Sequence, residues 1–142
     1  MLVNPQQLEE ALKYCNDFAV HMLSDAGEFY PFGAFINPSG ELVSVGGHIG
    51  EEFPDPIELL KFLDNAMNSR LSEGEAIATA LAINVNIPPK YSATYSDGIK
   101  VTLKADGHHR SIYTPYKIQK TRILKFRPKV KLIESFSVEH LP

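Results

Sequence analysis

The chain contains a single cysteine, Cys15, in 142 residues. A lone thiol excludes an internal disulfide framework and any zinc site built on several thiolates, and makes a reducing cytoplasm the expected compartment. No apolar run approaches the ~18 residues of a membrane-spanning helix, and the N-terminal residues lack the basic and apolar regions of a secretory signal. Internal repeats, low-complexity tracts and Gly/Ser/Pro-rich linkers are also missing, so residues 1–142 read as one domain, long enough to bury a core. Catalytic signatures are thin: there is no Gly-x-Ser-x-Gly elbow, no His-Glu-x-x-His and no Gly-x-Gly-x-x-Gly after a strand.

What is present is hydrophobic periodicity. Asn4 and Pro5 open a helix whose apolar stripe runs through Leu8, Ala11, Leu12, Cys15, Phe18, Ala19, Met22 and Leu23 to a stop near Gly27. Cys15 on that stripe reads as a small buried hydrophobe. Two apolar runs flank Asn37-Pro38-Ser39-Gly40, the residue pattern of a β-turn, which predicts a hairpin. Asp55-Pro56-Ile57-Glu58 then caps a second helix carrying Ile57, Leu59, Leu60, Leu63, Ala66, Met67 and Leu71 on one face, with a stop at Gly74. In "AIATALAINVNIPP" the period changes to two: Leu81, Ile83, Val85 and Ile87 oppose Ala80, Ala82, Asn84 and Asn86, and the small-residue side leaves room for a close helix. Ile99, Val101 and Leu103 alternate with Lys100, Thr102 and Lys104 in a further strand.

The run Lys104-Ala105-Asp106-Gly107-His108-His109-Arg110 carries the strongest chemical suggestion in the chain. Asp-Gly between alternating segments predicts a hairpin turn, so His108 and His109 begin the returning strand and their side chains point to opposite faces. That geometry disfavours a chelate formed by the pair. A metal-dependent hydrolase would instead gather one of them, or both, with His48 and Glu51 from the Gly-rich segment before the second helix.

Charge is segregated along the chain. Residues 1–75 hold 13 acids and 3 bases, whereas residues 76–142 hold 4 acids and 11 bases, within a net charge of -3. Lys117, Lys120, Arg122, Lys125, Arg127, Lys129 and Lys131 fall within fifteen residues that contain no acid. With Tyr113, Tyr116 and Phe126 interleaved, a functional reading is a strip that follows a phosphate backbone. The structural reading is a lysine-guarded edge strand facing the acidic half, and the overall acidity favours it. Residues 117–142 also predict an extra strand through Val130–Ile133 and Phe136–Val138.

The stretches "EFYPFGAFINPSGELVSVGG", "AIATALAINVNIPP" and "IKVTLKADG", with Pro115-Tyr116, resemble a family of small uncharacterised bacterial proteins sharing a Phe-Tyr-Pro-Phe hairpin start. The resemblance spans residues 28–118 and implies no catalytic residue, since that family has no assigned activity.

These readings give an α+β domain: one largely antiparallel sheet of five or six strands with both helices on one face, in the order α-β-β-α-β-β-β and an additional terminal strand. Phe29, Tyr30, Phe32 and Phe35 cannot all point to one side of a strand, so part of this group, with Tyr113 and Tyr116, is the expected interaction surface on the uncovered face, the alternative being an irregular hairpin start at Pro31 that places all of the group in the core. The expected function is a non-catalytic cytoplasmic binding module without cofactor, of immunity-like type, working on a protein partner or as a homodimer. The alternatives are the metal-dependent hydrolase and a weak nucleic-acid binder.

Overall fold

The computed structural model describes residues 3–46, 55–91, 96–119 and 129–139. Helix α1, Pro5–Ala26, starts at a reciprocal cap: Asn4 Oδ1 accepts from the Gln7 N–H at 2.9 Å, and Gln7 Oε1 accepts from the Asn4 N–H at 3.0 Å. Gly27, at φ 77, closes it by donating its N–H to the Leu23 carbonyl. Strands β1 (Phe32–Ile36) and β2 (Leu42–Gly46) form the expected hairpin, its turn closed by the Gly40 N–H on the Asn37 carbonyl. Helix α2, Pro56–Ser72, is capped by Asp55, whose carboxylate accepts from the Ile57 N–H. Strands β3 (Ala78–Asn86), β4 (Asp97–Ala105), β5 (His108–Gln119), β6 (Lys129–Leu132) and β7 (Phe136–Glu139) follow.

All pairings are antiparallel, and the sheet order is β2-β1-β3-β4-β5-β6, with β7 on the same side of β5 as β6. The α+β class, the antiparallel sheet and the element order are those expected from the sequence. No described helix is long and apolar enough to cross a membrane.

The helices, however, do not share a face. Residues Phe32 and Ile36 of β1, Ala78, Ala80 and Ala82 of β3, and Ile99, Val101 and Leu103 of β4 join one core with Ala11, Cys15, Ala19 and Leu23 of α1. Residues of the opposite parity meet α2: Phe35 packs with Met67, and the Lys104 ammonium reaches Asp64 and Asn68 of α2 at 3.2 and 3.1 Å. The expectation of two helices on one face is therefore corrected to one helix on each. The reason lies in β1 and β3, whose two sides are both apolar and each need cover.

The outer edge of β5 carries one irregularity. Tyr116 pairs with Leu132 and Tyr113 with Phe136, so two residues of β5 face three of the edge segment, a one-residue bulge at 133–135. It lies opposite Pro115, which has no N–H to donate, while the Pro115 carbonyl accepts from the Ile133 N–H at 2.8 Å. The extra residue inverts the alternation along the edge. Val130 joins the α1 core, whereas Phe136 stacks on Tyr113 across the α2 side.

Gly33 fixes how closely α2 approaches. A methyl group there would stand 2.5 Å from Met67 Cε and 2.6 Å from the Ala80 carbonyl oxygen, and the latter is backbone that cannot swing away. Gly33→Ala is expected to cost about 1–3 kcal/mol through overpacking. Gly46→Ala, where a Cβ meets nothing within 4 Å, is expected to change stability by less than about 0.5 kcal/mol. Urea denaturation of the two variants checks the contrast.

Candidate functional site

Helix α1 packs along one face of the sheet, leaving a cleft beside β4 and β5, and α2 covers the β1–β3 part of the other face. The β4–β5–β7 part of the α2 face is different. Lys100, Tyr113 and Phe136 stand side by side there, because Lys100 pairs with Tyr113 across β4–β5 and Tyr113 with Phe136 across β5–β7. The Tyr113 and Phe136 rings stack at 5.2 Å with 9° between their planes, and the Lys100 ammonium lies 5.7 Å from the Tyr113 ring centre. Tyr91, held by the turn after β3 through its N–H on the Pro88 carbonyl, leans on both rings at 5.8 and 5.7 Å. Its own ring carries Lys90 at 4.9 Å and is 39% exposed. Burial, the neighbouring Tyr91 and, in the opposite sense, Lys90 together raise the Tyr113 hydroxyl above its ordinary pKa.

The same face is uniformly cationic. The α2-side positions of β4 to β7 carry Lys100, Lys104, His109, Lys117, Lys129 and Lys131, and no acidic side chain among the described strand residues. Asp64 of α2 engages Lys104. Lys117 and Lys131 are direct cross-strand partners, both exposed, and no described ion pair engages either. Like charges placed directly opposite in a sheet oppose pairing.

The histidines separate as the strand alternation requires. His108 lines a cleft of about 340 Å³ against α1, with Leu8, Leu12 and Arg110, whereas His109 lines one of about 340 Å³ on the other side, with Asp64, Lys100 and Lys104. No group of three or more His, Cys, Asp or Glu side chains among the described residues is placed to hold a metal. His48 and Glu51 lie outside the described residues, as do Lys120, Arg122, Lys125, Phe126 and Arg127.

The aromatic surface expected at the first hairpin is core instead. Phe29, Phe32 and Phe35 are buried, and only Tyr30 of that group is exposed. Phe32 and Phe35 lie on opposite faces of β1, each under its own helix. Phe29 precedes the strand, is free of its alternation, and packs edge-to-face on Phe32 at 5.7 Å. Tyr116 is buried on the α1 face, where its hydroxyl donates to Asn84 Oδ1 at 2.7 Å. Burial and Asp97 raise its pKa, and the Asn84 bond works the other way. Of the aromatic group expected to form the surface, Tyr113 alone joins the cluster. Tyr91 and Phe136 were not anticipated, because the bulge that brings Phe136 beside Tyr113 depends on register. Comparison with protein-family models, curated proteins and solved structures finds no significant match to this chain.

Cys15 is fully buried, and burial pushes its thiol up to about 12. Its neutral form is favoured by folding, so its contribution to stability is complete below the ordinary value of 9.0 and is lost as pH rises from there through about 12. The folded protein is expected to resist a thiol reagent at pH 8 and to react stoichiometrically once unfolded by urea, which absorbance of the released chromophore measures. For the cationic face, Lys117→Glu replaces a like-charge pair with an opposite-charge one. It is expected to raise stability by about 0.2–1 kcal/mol in low-salt denaturation, with the gain fading at high salt.

Proposed function

We propose that this protein is a non-catalytic binding module whose α2-side face, over β4, β5 and β7, docks an acidic surface of a protein partner. The observation that carries this reading is the cross-strand pair of Lys117 and Lys131, like charges set directly opposite each other on a face whose strands carry no described acid. Tyr91, Tyr113 and Phe136 supply a half-exposed apolar centre beside it, and aromatic anchors rimmed by charge are the usual composition of a binding hot spot.

A single-stranded nucleic acid is the competing anionic partner, and the ring geometry argues against it. Tyr113 has Phe136 stacked against it and the Lys100 ammonium 5.7 Å from its centre, and Tyr91 is tilted over the pair, so the rings are engaged with one another and not set apart as separate stacking platforms.

The test compares the wild type with Lys117→Glu/Lys131→Glu and with Phe136→Ala. Captured partners from cell extract are quantified by mass spectrometry, and labelled single-stranded RNA is titrated at low salt. The expected result is an acidic protein whose recovery falls at least tenfold with either variant, although both fold normally, together with no RNA binding. Recovery unchanged by both variants removes the assignment of this face. RNA binding that weakens steeply with salt and with the charge reversal replaces the protein-partner reading by the nucleic-acid one.

A further inference from the structure

The two edges of the sheet are built differently. The β6–β7 edge is interrupted by its bulge and carries Lys129, Lys131 and Glu139, features that discourage strand addition. The β2 edge has none of these. Its sequence, Leu42-Val43-Ser44-Val45-Gly46, contains no charge and no proline, and its register with β1 is unbroken from Leu42 to Gly46.

The turn before β2 settles which backbone groups are free. The Asn37 N–H donates to the Glu41 carbonyl at 2.9 Å, which marks that pair as hydrogen-bonded. Alternation from there turns the N–H and C=O groups of Val43 and Val45 toward β1, and those of Leu42, Ser44 and Gly46 away from it. The outward set is symmetric about Ser44.

We infer that β2 pairs with β2 of a second copy of this chain, antiparallel about a twofold axis at Ser44. In that register Ser44 exchanges both backbone bonds with Ser44 of the second copy. Leu42 does the same with Gly46, whose open surroundings accept the leucine side chain. Val43 then lies against Val45 on the α2 side. Both valines already border the apolar group of Phe35, Met67 and Ala76, so that group becomes continuous across the axis. All these pairs join residues of the same parity, so each copy keeps its faces aligned with the other's.

Light scattering up to about 100 μM, where a micromolar association is nearly complete, is expected to report twice the 15.8 kDa chain mass. Ser44→Pro removes an outward N–H and fills the edge without touching a bond to β1. It is expected to weaken dimerisation at least about tenfold while circular dichroism and melting stay close to wild type. Ser44→Cys provides the second measurement, because opposed residues of a hydrogen-bonded pair have Cα atoms about 5.5 Å apart, within disulfide range. Mild oxidation is expected to yield a covalent dimer of Ser44→Cys and none of Ser39→Cys in the hairpin turn, with Cys15 buried and silent. A wild type that is monomeric throughout overturns the inference, as does a dimer that Ser44→Pro leaves intact. If Ser44→Pro fails to fold, the Ser44→Cys cross-link decides alone: its presence upholds the twofold axis and its absence removes it.

Discussion

The contact of α1 with β3 sets the dimensions of the whole domain. The helix presents Ala11, Cys15 and Ala19, and the strand answers with Ala78, Ala80 and Ala82, all buried to within 2% exposure. Small residues on both partners bring helix and sheet backbones close, and larger side chains at the margins, Leu23, Phe32, Ile99 and Leu103, fill the wider gaps. The alanine seam itself is held by packing, and the hydrogen bonds of this layer lie beside it, where Asn16 of α1 donates to Thr114 Oγ1 at 3.4 Å and Tyr116 to Asn84 at 2.7 Å. The same contact buries Cys15 and removes it from thiol chemistry.

The opposite side of the sheet is more open. α2 crosses only part of it, and Lys104 marks the boundary, its aliphatic stem on the sheet and its ammonium tied to Asp64 and Asn68. Beyond that boundary the strands present lysine and aromatic side chains and no described acid. On β4 and β5 the two parities thus differ: Ile99, Val101 and Leu103 join the α1 core, while Lys100, Lys104 and Tyr113 face the other side, and in β1 and β3 both parities are packed.

Much of this was legible in the sequence because it is local. The Asn4-Pro5 start, the Gly27 stop, the Asn37–Gly40 turn and the Asp106-Gly107 hairpin each follow from residues a few positions apart. The divergence of His108 and His109 follows from the two-residue period alone. The alanine side of β3 also foretold a closely packed helix. What the sequence withheld is non-local. The side on which α2 lands depends on the path from β2 across β1 to β3, and with it depends whether Phe35 is buried. The placement of Phe136 beside Tyr113 rests on a pairing between segments more than twenty residues apart, shifted by one residue opposite Pro115.

That shift has a genetic consequence. Because one surplus residue at 133–135 separates β6 from β7, the edge segment sends Val130 into the α1 core and Phe136 to the α2 side. Loss of a single codon within the bulge would leave two residues facing two, an unbroken ladder in which Leu132 still pairs with Tyr116 and Phe136 with Tyr113, so the side chains on both flanks keep their faces. An in-frame deletion of three nucleotides would therefore remove the interruption in this edge while leaving the stacked rings where they are. Length at this position therefore decides whether the β6–β7 edge is broken or continuous, and with it how open that edge is to a further strand, without any change in the side chains displayed.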